Sequence, residues 1–148
     1  MIIIENTPAY LDRLVPVIEE YRVYCGAPAD AQGTRDFFER RLADGGAVTF
    51  IAVDEDTDAV MGFVNLYPSY STLAQKRLWI LNDLGVSGNF RGHGVARALI
   101  RKVLGFAAET GAVRVELKTR ADNTGAQALY RSVGFEIDQQ HVYYQVPV

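Results

Sequence analysis

The sequence contains few of the residues from which covalent cross-links and metal centres are built. Its 148 residues include a single cysteine, Cys25, and only two histidines, His93 and His141. An internal disulfide is therefore excluded, and no Cys/His cluster has the spacing of a metal site. We expect the fold to depend on packing alone, without a bound metal.

The sequence also lacks the long apolar runs and the basic excess that mark two other classes of protein. No apolar run approaches the roughly 18 residues of a membrane span, and residues 1–6 lack the basic region of a secretory signal. Its 15 basic side chains are outnumbered by 18 acidic ones, which gives a net charge of -3. This balance argues against non-specific nucleic-acid binding and favours cationic small molecules. We expect a cytoplasmic protein that binds neither membrane nor nucleic acid.

The composition is otherwise that of a globular protein, with 49% hydrophobic and 22% charged residues. No repeat or long linker divides the chain, so we predict one domain over residues 1–148. Helices interleaved with hairpins predict an α/β (α+β) fold with a mixed sheet. Periodicity predicts helices at 8–24, around 37–42, at 95–106 and after 123, and strands at 2–5, 47–53, 60–67, 78–86, 113–119, 135–138 and 142–146.

The most informative segment is the loop at residues 89–97, NFRGHGVAR, between a predicted strand and a predicted helix. Gly92 and Gly94 let the backbone approach a ligand closely, while the first helical turn offers free N–H groups and the positive end of the helix dipole. These features hold phosphate oxygens, and Arg91 and Arg97 add positive charge. The loop indicates an anionic cofactor; the alternative is a glycine turn that only begins a helix.

The loop resembles a signature of the GCN5-related N-acetyltransferases. Residues 91–96, RGHGVA, match that family's R/Q-x-x-G-x-G/A pattern, whereas neither the P-loop nor the dinucleotide fingerprint fits. Residues 78–86, with Asn82-Asp83-Leu84, look most like the Hpa2-type branch, whose members acetylate polyamines or lysine side chains. A second match, to N-x-x-A-x-x-L-Y-x-x-x-G-F, is carried by Asn123, Ala126, Leu129, Tyr130, Gly134 and Phe135.

The resemblance implies a mixed, mostly antiparallel sheet flanked by about four helices, with a splay between strands four and five. It implies that acetyl-CoA enters this splay, with its pyrophosphate on the glycine loop. Asn123 has a second possible role as the N-cap of the last helix. Relatives often form dimers, and we expect a homodimer. The cofactor-binding residues implied are Leu84, Val86, Arg91, Gly92, His93, Gly94, Val95, Ala96, Arg97, Asn123 and Tyr130.

The resemblance also gives Tyr130 the role of proton donor to the departing thiolate, since a phenol keeps its proton at neutral pH. Many relatives carry a glutamate on strand four where this sequence has Asn82, and an amide does not accept a proton. Asn82 is expected to orient a water or the amine, and Asp83 is either a remote base or a structural acceptor. Glu116 is a further candidate base, or else a solvent-facing side chain.

Aromatic residues suggest where the amine binds. Tyr67 and Tyr70, with Tyr21 and Tyr24 from the first helix, are candidates for an aromatic wall around a cation, or else pack a core or an interface. The expected function is direct acetyl transfer from acetyl-CoA to a primary amine, either a polyamine-like molecule or a lysine side chain. The alternative is a catalytically silent acyl-CoA sensor or dimeric scaffold, which Asn82 favours and Tyr130 argues against.

Overall fold

The computed structural model describes all 148 residues, which form two compact units, 1–118 and 119–148. The second unit contains one helix, α4 (Thr124–Ser132). None of the helices is both long and apolar enough to cross a membrane. The elements of the first unit are β1 (Ile2–Glu5), α1 (Leu11–Tyr24), α2 (Ala31–Asp44), β2 (Val48–Val53), β3 (Val60–Ser71), β4 (Lys76–Val86), α3 (Val95–Glu109) and β5 (Val115–Glu116).

The five strands form one mixed sheet in the order β1-β2-β3-β4-β5, which is also their order along the chain. The first four strands are antiparallel neighbours, and β5 runs parallel to β4. The parallel pairing is confined to Trp79 with Val115 and Ile80 with Glu116, so the two strands separate beyond Ile80. The predicted mixed, mostly antiparallel sheet with four helices and a splay between strands four and five is therefore confirmed.

The two helices between β1 and β2 differ in part from their predicted limits. A single 3-10 turn at Pro8–Tyr10 precedes α1, and Thr7 does not cap it with its side chain. The α2 helix is much longer than predicted because Asp30 begins it: the Asp30 carboxylate accepts a bond of 3.0 Å from the Gly33 N–H. It ends before Gly45, which adopts the left-handed conformation with φ 65°.

The hydrophobic core lies on both faces of the sheet. One face is covered by α1 and α2, and the other packs against α3, whose apolar stripe is Val95, Leu99, Ile100 and Val103. The first strand is an edge strand with Ile2 42% exposed, not the fully buried strand that its apolar run suggested. The cluster beneath α1 and α2 includes Leu11, Leu14, Val17, Ile18, Phe38, Ile51, Val53, Val60 and Phe63.

The second unit is organised around α4. Asn123 caps this helix, since its side-chain oxygen accepts a bond of 3.1 Å from the Ala126 N–H. After the helix, Gly134 has φ 104° and the Phe135 N–H bonds back to the Tyr130 carbonyl at 3.0 Å. The rings of Tyr130 and Phe135 meet edge to face at 5.8 Å. The predicted N-cap and helix end are confirmed.

The hairpin predicted from 135–138 and 142–146 is wrong. Neither segment forms a strand, and Val142, Tyr144 and Val146 are 76%, 87% and 80% exposed. Alternation of apolar and polar residues stabilises a hairpin only when its apolar face is covered, because an isolated two-stranded ribbon is marginal in water. Here Val142, Tyr144 and Val146 remain exposed.

Candidate active site

An irregularity in the pairing of β3 with β4 creates the site. Asn65 lies opposite Asp83 while the next residue, Leu66, lies opposite Leu81, so Asn82 is an extra residue in β4. Such a β-bulge redirects side chains that would otherwise alternate between faces. As a result, the side chains of Asn82 and Asp83 both line one cavity.

The cavity has a volume of about 360 Å³ and lies between α1, α2 and the middle of the sheet. Its walls are largely aromatic, and its charged groups include the carboxylates of Asp30 and Asp83. A larger hollow, of about 620 Å³, lies in the second unit along 135–140, and no predicted site residue lines it. The aromatic lining of the smaller cavity consists of Tyr21, Phe37, Phe38, Phe63 and Tyr67.

Asp83 is surrounded by hydrogen-bond donors. Its Oδ2 accepts bonds of 3.1 Å from both Asn65 Nδ2 and Asn82 Nδ2, and Tyr21 lines the same cavity. Burial raises the pKa of Tyr21, and Asp83 and Cys25 raise it further; burial and Asp83 likewise raise the pKa of Tyr67. Both phenols therefore stay protonated at neutral pH. The cavity presents the carboxylates of Asp30 and Asp83 beside aromatic rings. Its one guanidinium, Arg22, is paired with Glu19 at 2.7 Å, so the environment suits an organic cation.

The other predicted acceptor-site residues lie elsewhere. Tyr24 and Tyr70 are 72% and 70% exposed, and neither lines the cavity. The Tyr70 hydroxyl accepts a bond of 3.0 Å from Arg77. Glu116 is exposed and pairs with Arg114 at 2.6 Å, as its solvent-facing alternative predicted. Of the predicted aromatic wall, Tyr21 and Tyr67 are brought together and the other two tyrosines are not.

The glycine loop begins α3 as the sequence predicted. Gly92 and Gly94 have φ 78° and 77°, a conformation that residues with a Cβ rarely adopt, and Gly94 is the N-cap of α3. No side chain caps this helix, so its first-turn N–H groups remain available to an anion. His93 is exposed, with its Nδ1 2.9 Å from the Arg91 carbonyl. The loop fits a phosphate group on its backbone.

Arg91 is held beside this loop by residues of α1. Its guanidinium lies 3.5 Å from the Glu20 carboxylate, 5.9 Å from the centre of the Tyr24 ring and 3.4 Å from the Val86 carbonyl. Glu20 also accepts a bond of 2.8 Å from the Gly88 N–H. A carboxylate that neutralises part of the loop's charge was not predicted, because Glu20 is 68 residues away from Gly88 in the sequence.

The edge of β4 beyond the splay is the second feature suited to the cofactor. On one side of β4, Leu84 and Val86 pair with β3. On the other side, β4 pairs with β5 only as far as Ile80, so this edge of β4 has no neighbouring strand beyond Ile80. Backbone groups on that open edge are available to amide groups of a ligand. Arg97, half-buried in the first turn of α3, adds a positive charge near the helix N-terminus.

The second unit carries two predicted site residues. The Asn123 side-chain oxygen is used as a cap, which leaves its amide nitrogen for other partners. Burial raises the pKa of Tyr130, so this phenol is fully protonated at neutral pH. The raised pKa is consistent with a proton donor.

The comparisons with known proteins agree with this geometry. Residues 14–135 match the model of the acetyltransferase (GNAT) family. A Bacillus subtilis (strain 168) protein, the uncharacterized N-acetyltransferase YhfO, is 34% identical over 131 residues, covering 88% of this chain and 87% of its own. The crystal structure of a probable acetyltransferase is 38% identical, with a TM-score of 0.96 over 100% of this chain and 98% of that one.

A more distant structure shares the fold alone. The ribosomal-protein-alanine N-acetyltransferase from Brucella melitensis biovar Abortus 2308 has a TM-score of 0.78 at 19% identity, over 99% of this chain and 100% of that one. The family match spans most of the sequence and includes both motifs. The chain is an acetyltransferase of the GNAT family.

Proposed function

We propose that this acetyltransferase transfers an acetyl group from acetyl-CoA directly to a primary amine, on a polyamine-like small molecule or a lysine side chain. The observation that carries the proposal is the cavity of about 360 Å³ in which Asp83 lies among aromatic side chains and neutral donors. A protonated amine is attracted by the carboxylate and by the aromatic faces together.

The proposed cofactor site combines the uncapped N-terminus of α3 with the open edge of β4. The backbone of residues 92–97 and the side chains of Arg91 and Arg97 would hold the pyrophosphate, and Leu84 and Val86 would bond the pantetheine arm. Asn123 and Tyr130 complete the proposed set from the second unit. Acetyl-CoA supplies the thioester that is cleaved, and the proposed transfer to the amine is direct, without an acyl-enzyme.

The proposed role of Asp83 is to bind the ammonium group and to accept its proton, directly or through a water oriented by Asn82. Deprotonation of a lysine-like amine at pH 7 costs about 4–5 kcal/mol. Correct placement of the two reactants contributes roughly 7 kcal/mol or more, so a modest base is sufficient. The amine nitrogen then bonds to the acetyl carbon, the carbon–sulfur bond breaks, and Tyr130 donates its phenolic proton to the thiolate. The second proton, which the acetylated nitrogen must lose to become an amide, passes to the Tyr130 phenolate and restores the phenol.

The wider setting is also a proposal. We propose that the two units act as one N-acetyltransferase domain in the cytoplasm, most similar to the Hpa2-type branch, and that the chain forms a homodimer. The exposed apolar residues Ile137, Val142 and Val146 support the dimer, since surface of this kind is usually covered. A Val142→Asp variant should be monomeric by light scattering, whereas Leu73→Asp, which alters a fully exposed turn, should not change the mass.

Release of CoA thiol from acetyl-CoA, measured across a panel of amines, tests the activity. We expect amine-dependent release, reduced at least about tenfold by Asp83→Asn and unchanged by Asp56→Asn, which removes the same charge from an exposed turn. CoA binding without release for every amine would instead support the catalytically silent sensor.

A further inference from the structure

A row of polar side chains crosses the sheet and ends at the cavity. Thr49 on β2 lies directly opposite Asn65 on β3, and Asn65 lies directly opposite Asp83 on β4. Thr49 and Asn65 are 4% and 0% exposed, so both are removed from water. The row connects Asp83, at the cavity, to the interior of the sheet two strands away.

The hydrogen bonds of this row have one possible direction. A carboxylate oxygen only accepts, so the Asn65 group that faces Asp83 must be its Nδ2 amide, at 3.1 Å. The Asn65 Oδ1 atom must then face Thr49, and the Thr49 hydroxyl donates to it at 2.9 Å. Thr49 and Asp83 together fix the orientation of the Asn65 amide from both ends.

Apolar residues occupy the neighbouring positions on the same face of the sheet. Ile51 and Phe63, two residues along from Thr49 and Asn65, are fully buried beneath α1 and α2. Buried polar side chains cost free energy unless every group is bonded, and the sheet nevertheless retains a bonded pair here. The pair leads to Asp83, the cavity carboxylate that also accepts a bond from Asn82.

We propose that Thr49 and Asn65 are positioning residues for acetyl transfer: the Thr49 hydroxyl holds the Asn65 amide so that it keeps the Asp83 carboxylate aligned with the acceptor amine. The inference rests on the proposed function, in which Asp83 acts on that amine. Neither residue touches the substrate, since neither lines the cavity.

The test compares Thr49→Val with Thr49→Ser. Valine has the shape of threonine without the donor, so Asn65 Oδ1 loses its partner and the amide moves to find another. We expect kcat/KM for the amine to fall about three- to tenfold in Thr49→Val, with the KM for acetyl-CoA within about twofold. Thr49→Ser keeps the hydroxyl and should restore kcat/KM to within about twofold of the unmodified protein.

A spectroscopic measurement removes the dependence on activity. In the unmodified protein, the Asn65 side-chain amide protons should be protected from exchange and should shift in Asp83→Asn, because their acceptor changes. In Thr49→Val that protection should be lost, and in Thr49→Ser it should be retained. If Thr49→Val does not fold, the Asn65 signals of the unmodified protein and of Asp83→Asn decide the question.

The outcomes separate the two levels of the proposal. Full activity in Asp83→Asn would remove the proposed role of Asp83, and the positioning role with it. A second outcome is a loss of activity in Asp83→Asn together with full activity and reduced stability in Thr49→Val. It would overturn only the positioning role, since a purely structural row changes stability without changing catalysis. A fall in kcat/KM in Thr49→Val that is restored in Thr49→Ser supports both the role of Asp83 and the positioning role.

Discussion

The replacement of Gly94 by valine is expected to separate cofactor binding from folding. Gly94 has φ 77°, and a Cβ built at this position meets no atom within 4 Å. The obstacle to a side chain is therefore the backbone conformation and not a lack of space. Placing a residue with a Cβ in this left-handed region costs roughly 1–2 kcal/mol, and more for a branched side chain.

The valine variant relieves this strain by turning the peptide groups at the start of α3, which moves the N–H groups away from the phosphate. We expect the dissociation constant for CoA, measured by calorimetry, to rise at least about tenfold, equivalent to about 1.4 kcal/mol. Urea unfolding should show a loss of about 1–2 kcal/mol in the free energy of unfolding.

Gly105 provides a matched control on the same helix. It lies in the exposed interior of α3 with no atom within 4 Å of its Cβ position and no positive φ. Gly105→Ala should stabilise the protein by about 0.5–1 kcal/mol and leave CoA affinity unchanged. Normal CoA affinity in a folded Gly94→Val variant would refute the assignment of the phosphate loop, and an equal loss in Gly105→Ala would show that any change in α3 disturbs binding.

Three further predictions follow from individual contacts. Tyr130→Phe should lower kcat while CoA affinity stays the same; because burial raises the pKa of Tyr130, the loss of its proton should not reduce turnover of the unmodified enzyme until the pH exceeds about 10. Glu20→Gln should tighten CoA binding about two- to fivefold at low salt, since it removes a negative charge 3.5 Å from Arg91, and unchanged affinity would show that Glu20 does not oppose the phosphates. Burial acts to raise the pKa of Glu19, but bonds from Thr34 at 2.5 Å, Arg22 at 2.7 Å and the Asp30 N–H at 2.6 Å lower it below 4.5 overall. That carboxylate stabilises the fold above the unfolded-state pKa of 4.5, and the contribution is lost as the pH falls through the lower folded-state pKa. The urea stabilities of the unmodified protein and Glu19→Gln should therefore converge from about 1 kcal/mol apart at pH 7 to equality once the pH lies below the folded-state pKa, and a constant gap would contradict this.

Local signals in the sequence were sufficient for much of the fold. The glycine loop, the Asn123 cap and the stop at Gly45 depend on neighbouring residues, so the sequence predicts them directly. The start of α2 is not evident from the sequence although Asp30 is a good N-cap residue, because the glycines and the proline around it look like a loop. The terminal hairpin failed because alternation alone does not tell whether a sheet is there to receive it.

The acceptor cavity could be predicted only in part. Tyr21 and Tyr67 were identified by residue type, yet their meeting at Asp83 depends on a β-bulge and on a helix packed over the sheet. Thr49 and Asn65 did leave a signal, since each is a polar residue inside an otherwise apolar strand. A single polar residue in a strand is equally compatible with the solvent side, so the sequence alone does not place either residue in the core.

The agreement between strand order in the sheet and order along the chain has a consequence for biosynthesis. Each of β2, β3 and β4 pairs with the strand synthesised just before it, so the sheet is able to grow as the chain leaves the ribosome. The parallel strand β5 must wait until α3 has crossed over, and it gains only two paired positions when it arrives. The scaffold of the acceptor cavity is thus assembled early, whereas Tyr130, the proposed proton donor, is synthesised later. A ribosome stalled before residue 119 would display a sheet with its acceptor cavity but without Tyr130.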